Sequence, residues 1–182
     1  LVWGAAWDMT RDAEASTGDF LQLVLSGIGR ESDIGVVQGV LRQLRAAIDQ
    51  FAAPEHRSAY LEQLAIAMEA LAHQSHPGSD HQLAYARAFI AAATTSTQLA
   101  TVAALLDGST TWPGLSIDTD MRWFLLQNLA SEGQSGDAEI DAELASDDTA
   151  TGRRQAAVAR AAQPTAAAKQ AAWELIFEEL DA

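Results

Sequence analysis

His73, His76 and His81 fall within nine residues, and Glu69 precedes His73 by four. On a helix that last spacing brings carboxylate and imidazole to one face. Such a group could share a metal ion, since both side chains are ordinary zinc donors. The chain holds no His-Glu-x-x-His, however, and His76 and His81 flank the Pro77-Gly78 pair, which reads as a turn. A solvated connection between two helices explains the cluster better, and no metal ligand is assigned. His56, two residues after Pro54, reads as a first-turn surface residue. A weak alternative, an independent metallohydrolase built on the three clustered histidines, would require stoichiometric metal.

Other chemistries fail sooner. No Ser-centred nucleophile elbow, P-loop or dinucleotide fingerprint occurs, and "GIGRESDIG" lacks the lysine and the preceding strand of a phosphate loop. Seven carboxylates and no basic residue lie between Glu132 and Asp148. Glu139, Asp141 and Glu143 are read as lying on different faces around Ile140 and Leu144, which predicts a solvated acidic face rather than a cation site. The aromatic clusters say more. Trp3 and Trp7 are four apart, one face of a first helix. In "DTDMRWFLL", Asp118 is a plausible N-cap, while Asp120 and Arg122 crowd around Trp123. The plain reading of that stretch is core, a tryptophan buried beside an acid–arginine pair. The functional reading has Arg122 or Trp123 facing a cavity of a larger assembly. No catalytic residue is assigned.

These residues need helices to hold them, and the sequence supplies little else. Alanine makes up about a fifth of the 182 residues, and residues of this kind lose little rotamer freedom in a helix. About ten helices can be read from apolar spacing and punctuation. The first covers roughly Leu1 to Glu14. Ser16 and Asp19 have capping-box spacing before a second, which runs to Gly29. Ile34, Val37, Leu41, Leu44, Ile48 and Phe51 form the stripe of a third, and Pro54 opens a fourth. Ser79 caps a fifth, a sixth stops at Gly108, and "GSTTWPGLS" is the longest irregular stretch. A seventh starts near Asp118, a short acidic eighth spans Asp137 to Ser146, and a ninth follows Thr149. The tenth follows Thr165 and is expected to bury Trp173, Ile176, Phe177 and Leu180. Short consecutive helices predict an all-α fold, a HEAT-like α-solenoid of antiparallel helix pairs, with a compact bundle as the alternative.

The formal charge of −14 argues against nucleic acid and against an acidic membrane surface, because both require displaced counterions. No apolar run approaches the roughly 20 residues that span a bilayer. The absence of cysteine rules out disulfides and thiolate metal sites and fits a cytoplasmic location. The opening helix has no capping residue before it, and the closing one has acids in its last turn and no glycine stop. Both ends are therefore expected to be cuts, with residues 1–182 a single helical-repeat domain truncated from a longer protein.

Four segments carry a resemblance: "VWGAAWDMTRD" at Val2–Asp12, "LSGIGRESDIGVVQGVLRQ" at Leu25–Gln43, "DTDMRWFLLQNLA" at Asp118–Ala130 and "AEIDAELASDDTATGRR" at Ala138–Arg154. Together, and in this order, the chain resembles the helical C-terminal domain of bacterial aminopeptidase N, a zinc metallopeptidase family, a domain shared with the endoplasmic-reticulum aminopeptidases. One departure is Asp148, where the family pattern has proline; it alters a helix entry and touches nothing catalytic. The family's catalytic parts, a Gly-x-Met-Glu-Asn motif and a zinc-binding His-Glu-x-x-His, are not in this chain, and Met68-Glu69 is followed by Ala70. The resemblance implies a non-catalytic domain that caps a zinc-bearing catalytic domain of the same polypeptide and shapes a chamber for peptide substrates. Arg122 and Trp123 are the candidate chamber residues, Arg122 as a cation for a peptide carboxylate. A free-standing helical-repeat scaffold that binds another protein is the second reading.

Overall fold

The computed structural model describes Val2–Glu178, and every regular element in it is helical. In chain order these are α1 (Val2–Arg11), α2 (Thr17–Gly27), α3 (Ile34–Gln50), α4 (Pro54–Gln74), α5 (Asp80–Ala92), α6 (Ser96–Asp107), α7 (Thr119–Ser131), α8 (Asp137–Ser146), α9 (Ala150–Ala162) and α10 (Ala166–Glu178), with one 3-10 turn at Ile28–Arg30. The all-α class read from composition and periodicity is the observed one.

The helix starts follow the capping residues. Ser16 accepts from the Asp19 amide and the Asp19 carboxylate returns the bond, a complete capping box. Ser79, Asp118 and Thr149 cap α5, α7 and α9 through the amides of Gln82, Met121 and Gly152. Pro54 occupies the first turn of α4, where its missing N–H leaves no bond unmade.

The chain divides into two compact units. The first holds residues 1–95 together with Trp112–Leu115. Within it α4 and α5, joined by a five-residue turn, form the most extensive helix pair, and α3 packs on both α2 and α5. The α3 stripe is buried at Val37, Leu41, Leu44 and Ile48; its last member, Phe51, is exposed but lies 6.0 Å from the Trp7 ring. Trp7 also meets Phe20, and the Trp3 indole donates to Glu31. A buried amide ties this unit together. Gln82 donates to the carbonyls of Pro113 (2.9 Å) and Ala72, and accepts from the Gly78 amide. Trp112 lies beside it, buried against His73 and Phe89. Gly114, at φ +85°, has no room for a side chain: a Cβ there would sit 2.3 Å from the Gly78 nitrogen.

The second unit holds residues 96–111 and 116–182. Here α9 is central, packed against α7, α8 and α10, with α6 against α7. One cluster of its core is Trp123, Leu126, Ile140, Ala156 and Ala159, flanked by Leu106 and Leu144.

α10 departs from expectation. Trp173 is 61 % exposed, and Ile176 and Phe177 are also exposed, so the predicted burial of those three is corrected; Leu180 lies outside the described residues. The half-buried residues of α10 are Ala168 and Ala172, four apart, so the helix turns its small-residue side inward. Trp173 and Phe177 instead lie against each other with tilted rings, their centres 4.6 Å apart.

Candidate functional site

Arg122 and Trp123 are adjacent on α7 and therefore point about 100° apart. That divergence splits their roles. Trp123 is 1 % exposed, in the core of the second unit. Its indole N–H reaches the Asp147 carboxylate at 2.9 Å, as a buried indole donor requires. A side chain with so little surface meets a ligand only after rearrangement.

Arg122 leans to the rim, where 39 % of its side chain stays exposed. Its Nε and Nη2 donate to Oε1 and Oε2 of Glu143 at 2.8 and 2.6 Å, a bidentate fork, and Nη1 donates to the Leu106 carbonyl at 3.0 Å. Leu106 lies in the last turn of α6, so the guanidinium also satisfies a carbonyl that the helix leaves unpaired. One side chain thus fastens α6, α7 and α8. The Glu143 carboxylate raises the Arg122 pKa above its ordinary value.

Glu143 was read among solvated acids, and the structure corrects this: its side chain is only 8 % exposed. The signal was in the spacing, because Glu143 stands three after Ile140 and one before Leu144, on the inward side of α8. Five other acids of the run are also partnered. Asp141 and Asp137 meet Arg160, Asp148 meets Arg153, and Glu139 accepts from the Gly136 amide, which holds its carboxyl below the usual range. Asp147 does most. Besides Trp123 it accepts from the Thr149 hydroxyl, and its backbone carbonyl takes the Thr149 amide. Gly152, in the first turn of α9, passes so close that a Cβ would lie 2.0 Å from the Asp147 carbonyl oxygen.

The histidines do not converge. His73 lies on α4 with its ring 4.4 Å from Trp112, His76 Nδ1 contacts the Pro77 carbonyl, and His81 Nε2 contacts the Glu31 carbonyl. His56 stands beside Tyr60. Among the described residues no three His, Cys, Asp or Glu side chains are grouped to hold a metal. The donors present therefore do not fit the zinc of the resembled family.

A family model described as "ERAP1-like C-terminal domain" matches residues 1–182, the whole chain. The chain belongs to that family. Aminopeptidase N of Streptomyces lividans is 56 % identical over 178 residues, covering 98 % of this chain. The same match spans 21 % of that relative, so the chain corresponds to about a fifth of the curated protein. No helix among the described residues is long and apolar enough to cross a membrane.

Proposed function

We propose that this chain is the non-catalytic helical domain of a zinc aminopeptidase, capping the catalytic domain and shaping the chamber in which peptides lose their N-terminal residue. The observation that carries the reading is the 56 % identity to an aminopeptidase N along 98 % of the chain. In this reading zinc and the general base belong to another part of the polypeptide. There the metal would polarise the scissile carbonyl and activate water. In this reading the helices form a HEAT-like arrangement, the protein works in the cytoplasm, and its partners are its own catalytic domain and peptides.

Arg122 is the residue through which the domain would touch substrate. Three of its five N–H groups are engaged by Glu143 and Leu106, which leaves two at the exposed edge for a peptide carboxylate. The test is aminopeptidase activity on fluorogenic peptides of increasing length, comparing the catalytic segment alone with the polypeptide that includes this chain. A changed length preference supports the capping role; identical profiles at every length refute it.

A further inference from the structure

A cleft in the first unit carries a chemistry of its own. It has a volume of about 440 Å³ and lies among α3, α4 and α5. Leu41, Leu64 and Ala88 lie along it, with Leu41 and Leu64 buried. Three arginines edge it, Arg42, Arg45 and Arg87, and no acidic residue lines it. In a chain with 25 acids and 11 lysines and arginines, three of the arginines gather around one apolar floor.

The arginines are differently held. Arg45 is fixed: its Nε donates to Asp49 at 2.7 Å and its Nη1 to the Ala91 carbonyl. Arg42, one turn earlier on α3 and exposed, has no ion pair or hydrogen bond among the described residues. Arg42 lines the cleft from an exposed position, where its planar guanidinium can fork onto a carboxylate. The volume falls within the range of small-molecule sites, which are typically apolar with a few placed polar groups.

From this juxtaposition we infer that the cleft binds a small amphipathic carboxylate, its aliphatic body on Leu41, Leu64 and Ala88 and its carboxylate on Arg42. The inference is independent of the aminopeptidase reading, because it uses neither α7 nor any substrate of peptide hydrolysis.

Octanoate is a suitable probe, titrated by calorimetry against the purified protein, with 1-octanol as the uncharged control. A ligand of this size at ordinary efficiency binds with a Kd on the order of 1 mM. Octanoate is expected to bind at least about tenfold more tightly than octanol, since a charge-assisted bond is lost in the alcohol. Arg42→Gln, on an exposed position that leaves the fold intact, should remove most of that preference. Ala88→Phe, which narrows the cleft, should weaken both probes. Equal affinity for the acid and the alcohol would overturn the proposal, as would octanoate binding unchanged by Arg42→Gln. No heat at several millimolar octanoate would overturn it too.

Discussion

Replacing glycine by alanine inside a helix ordinarily stabilises a protein, by about 1 kcal/mol, because glycine loses the most backbone freedom on folding. Gly152→Ala should do the reverse. The added Cβ would stand 2.0 Å from the Asp147 carbonyl oxygen and 2.7 Å from its Oδ2, far inside contact distance. The carbonyl cannot move cheaply, since it accepts the Thr149 amide at 2.8 Å. The carboxylate is held by Trp123 and Thr149. Overpacking of this kind costs roughly 1–3 kcal/mol, and pushing Asp147 aside strains a hydrogen bond worth about 1.5–3 kcal/mol because its acceptor is charged. After the propensity gain is subtracted, a net loss of about 2 kcal/mol is expected. Gly39→Ala is the internal control. It lies mid-helix in α3, and a Cβ there meets nothing nearer than Arg42 Nη2 at 4.0 Å, so it should stabilise by up to about 1 kcal/mol. Urea unfolding followed by far-ultraviolet circular dichroism gives both shifts, with unchanged slopes licensing the comparison. If Gly152→Ala proves as stable as the parent, the argument from close approach is wrong.

Further outcomes follow from single contacts. Arg122→Met should cost about 1–3 kcal/mol, since it strands the buried Glu143, with the partial exposure of Arg122 moderating the loss. Under the proposed capping role, Arg122→Ala in the polypeptide that includes the catalytic segment should raise KM severalfold for long peptides while leaving single-residue amide substrates unchanged; equal effects on both would remove its substrate role. Gln82→Leu should destabilise by about 2 kcal/mol or more, because the Pro113 and Ala72 carbonyls and the Gly78 amide lose their partner together. Acid should weaken the fold through Glu31, whose carboxyl is held below its usual 4.5 by the Asp33 amide and then by the Trp3 indole. A depressed carboxylate contributes above its unfolded pKa and is lost as pH falls through the folded value. Glu31→Gln should therefore flatten the stability profile below about pH 4.5, measured as urea midpoints from pH 6 to 3.

Local rules made much of this fold legible. The side chains of Ser16, Ser79, Asp118 and Thr149 each bond the amide three residues on, so caps can be read from a few neighbouring letters. The α3 stripe is visible because one helix face repeats within four residues. Partners distant in sequence were not legible. Nothing around Glu143 names Arg122, which stands 21 positions earlier and arrives only when α7 packs near α8. Gln82 reads as an ordinary first-turn residue until Pro113 is placed beside it. The error at α10 has another cause. Apolar spacing states which residues prefer burial, but the packing surface of a helix is also set by which side admits close approach, and there Ala168 and Ala172 win over Trp173 and Ile176.

The Gln82 clasp bears on the order in which the first unit assembles. Hairpin α4–α5 needs only a five-residue turn, so its contacts are local and form early. The Pro113 carbonyl lies 31 residues from Gln82, and closing that loop costs entropy that the hairpin's own contacts do not repay. Trp112–Leu115 therefore docks late, onto a hairpin already made, and leaves first. Exchange of the Gly78 amide, which bonds to the same Gln82 side chain, should report that undocking long before α4 and α5 separate.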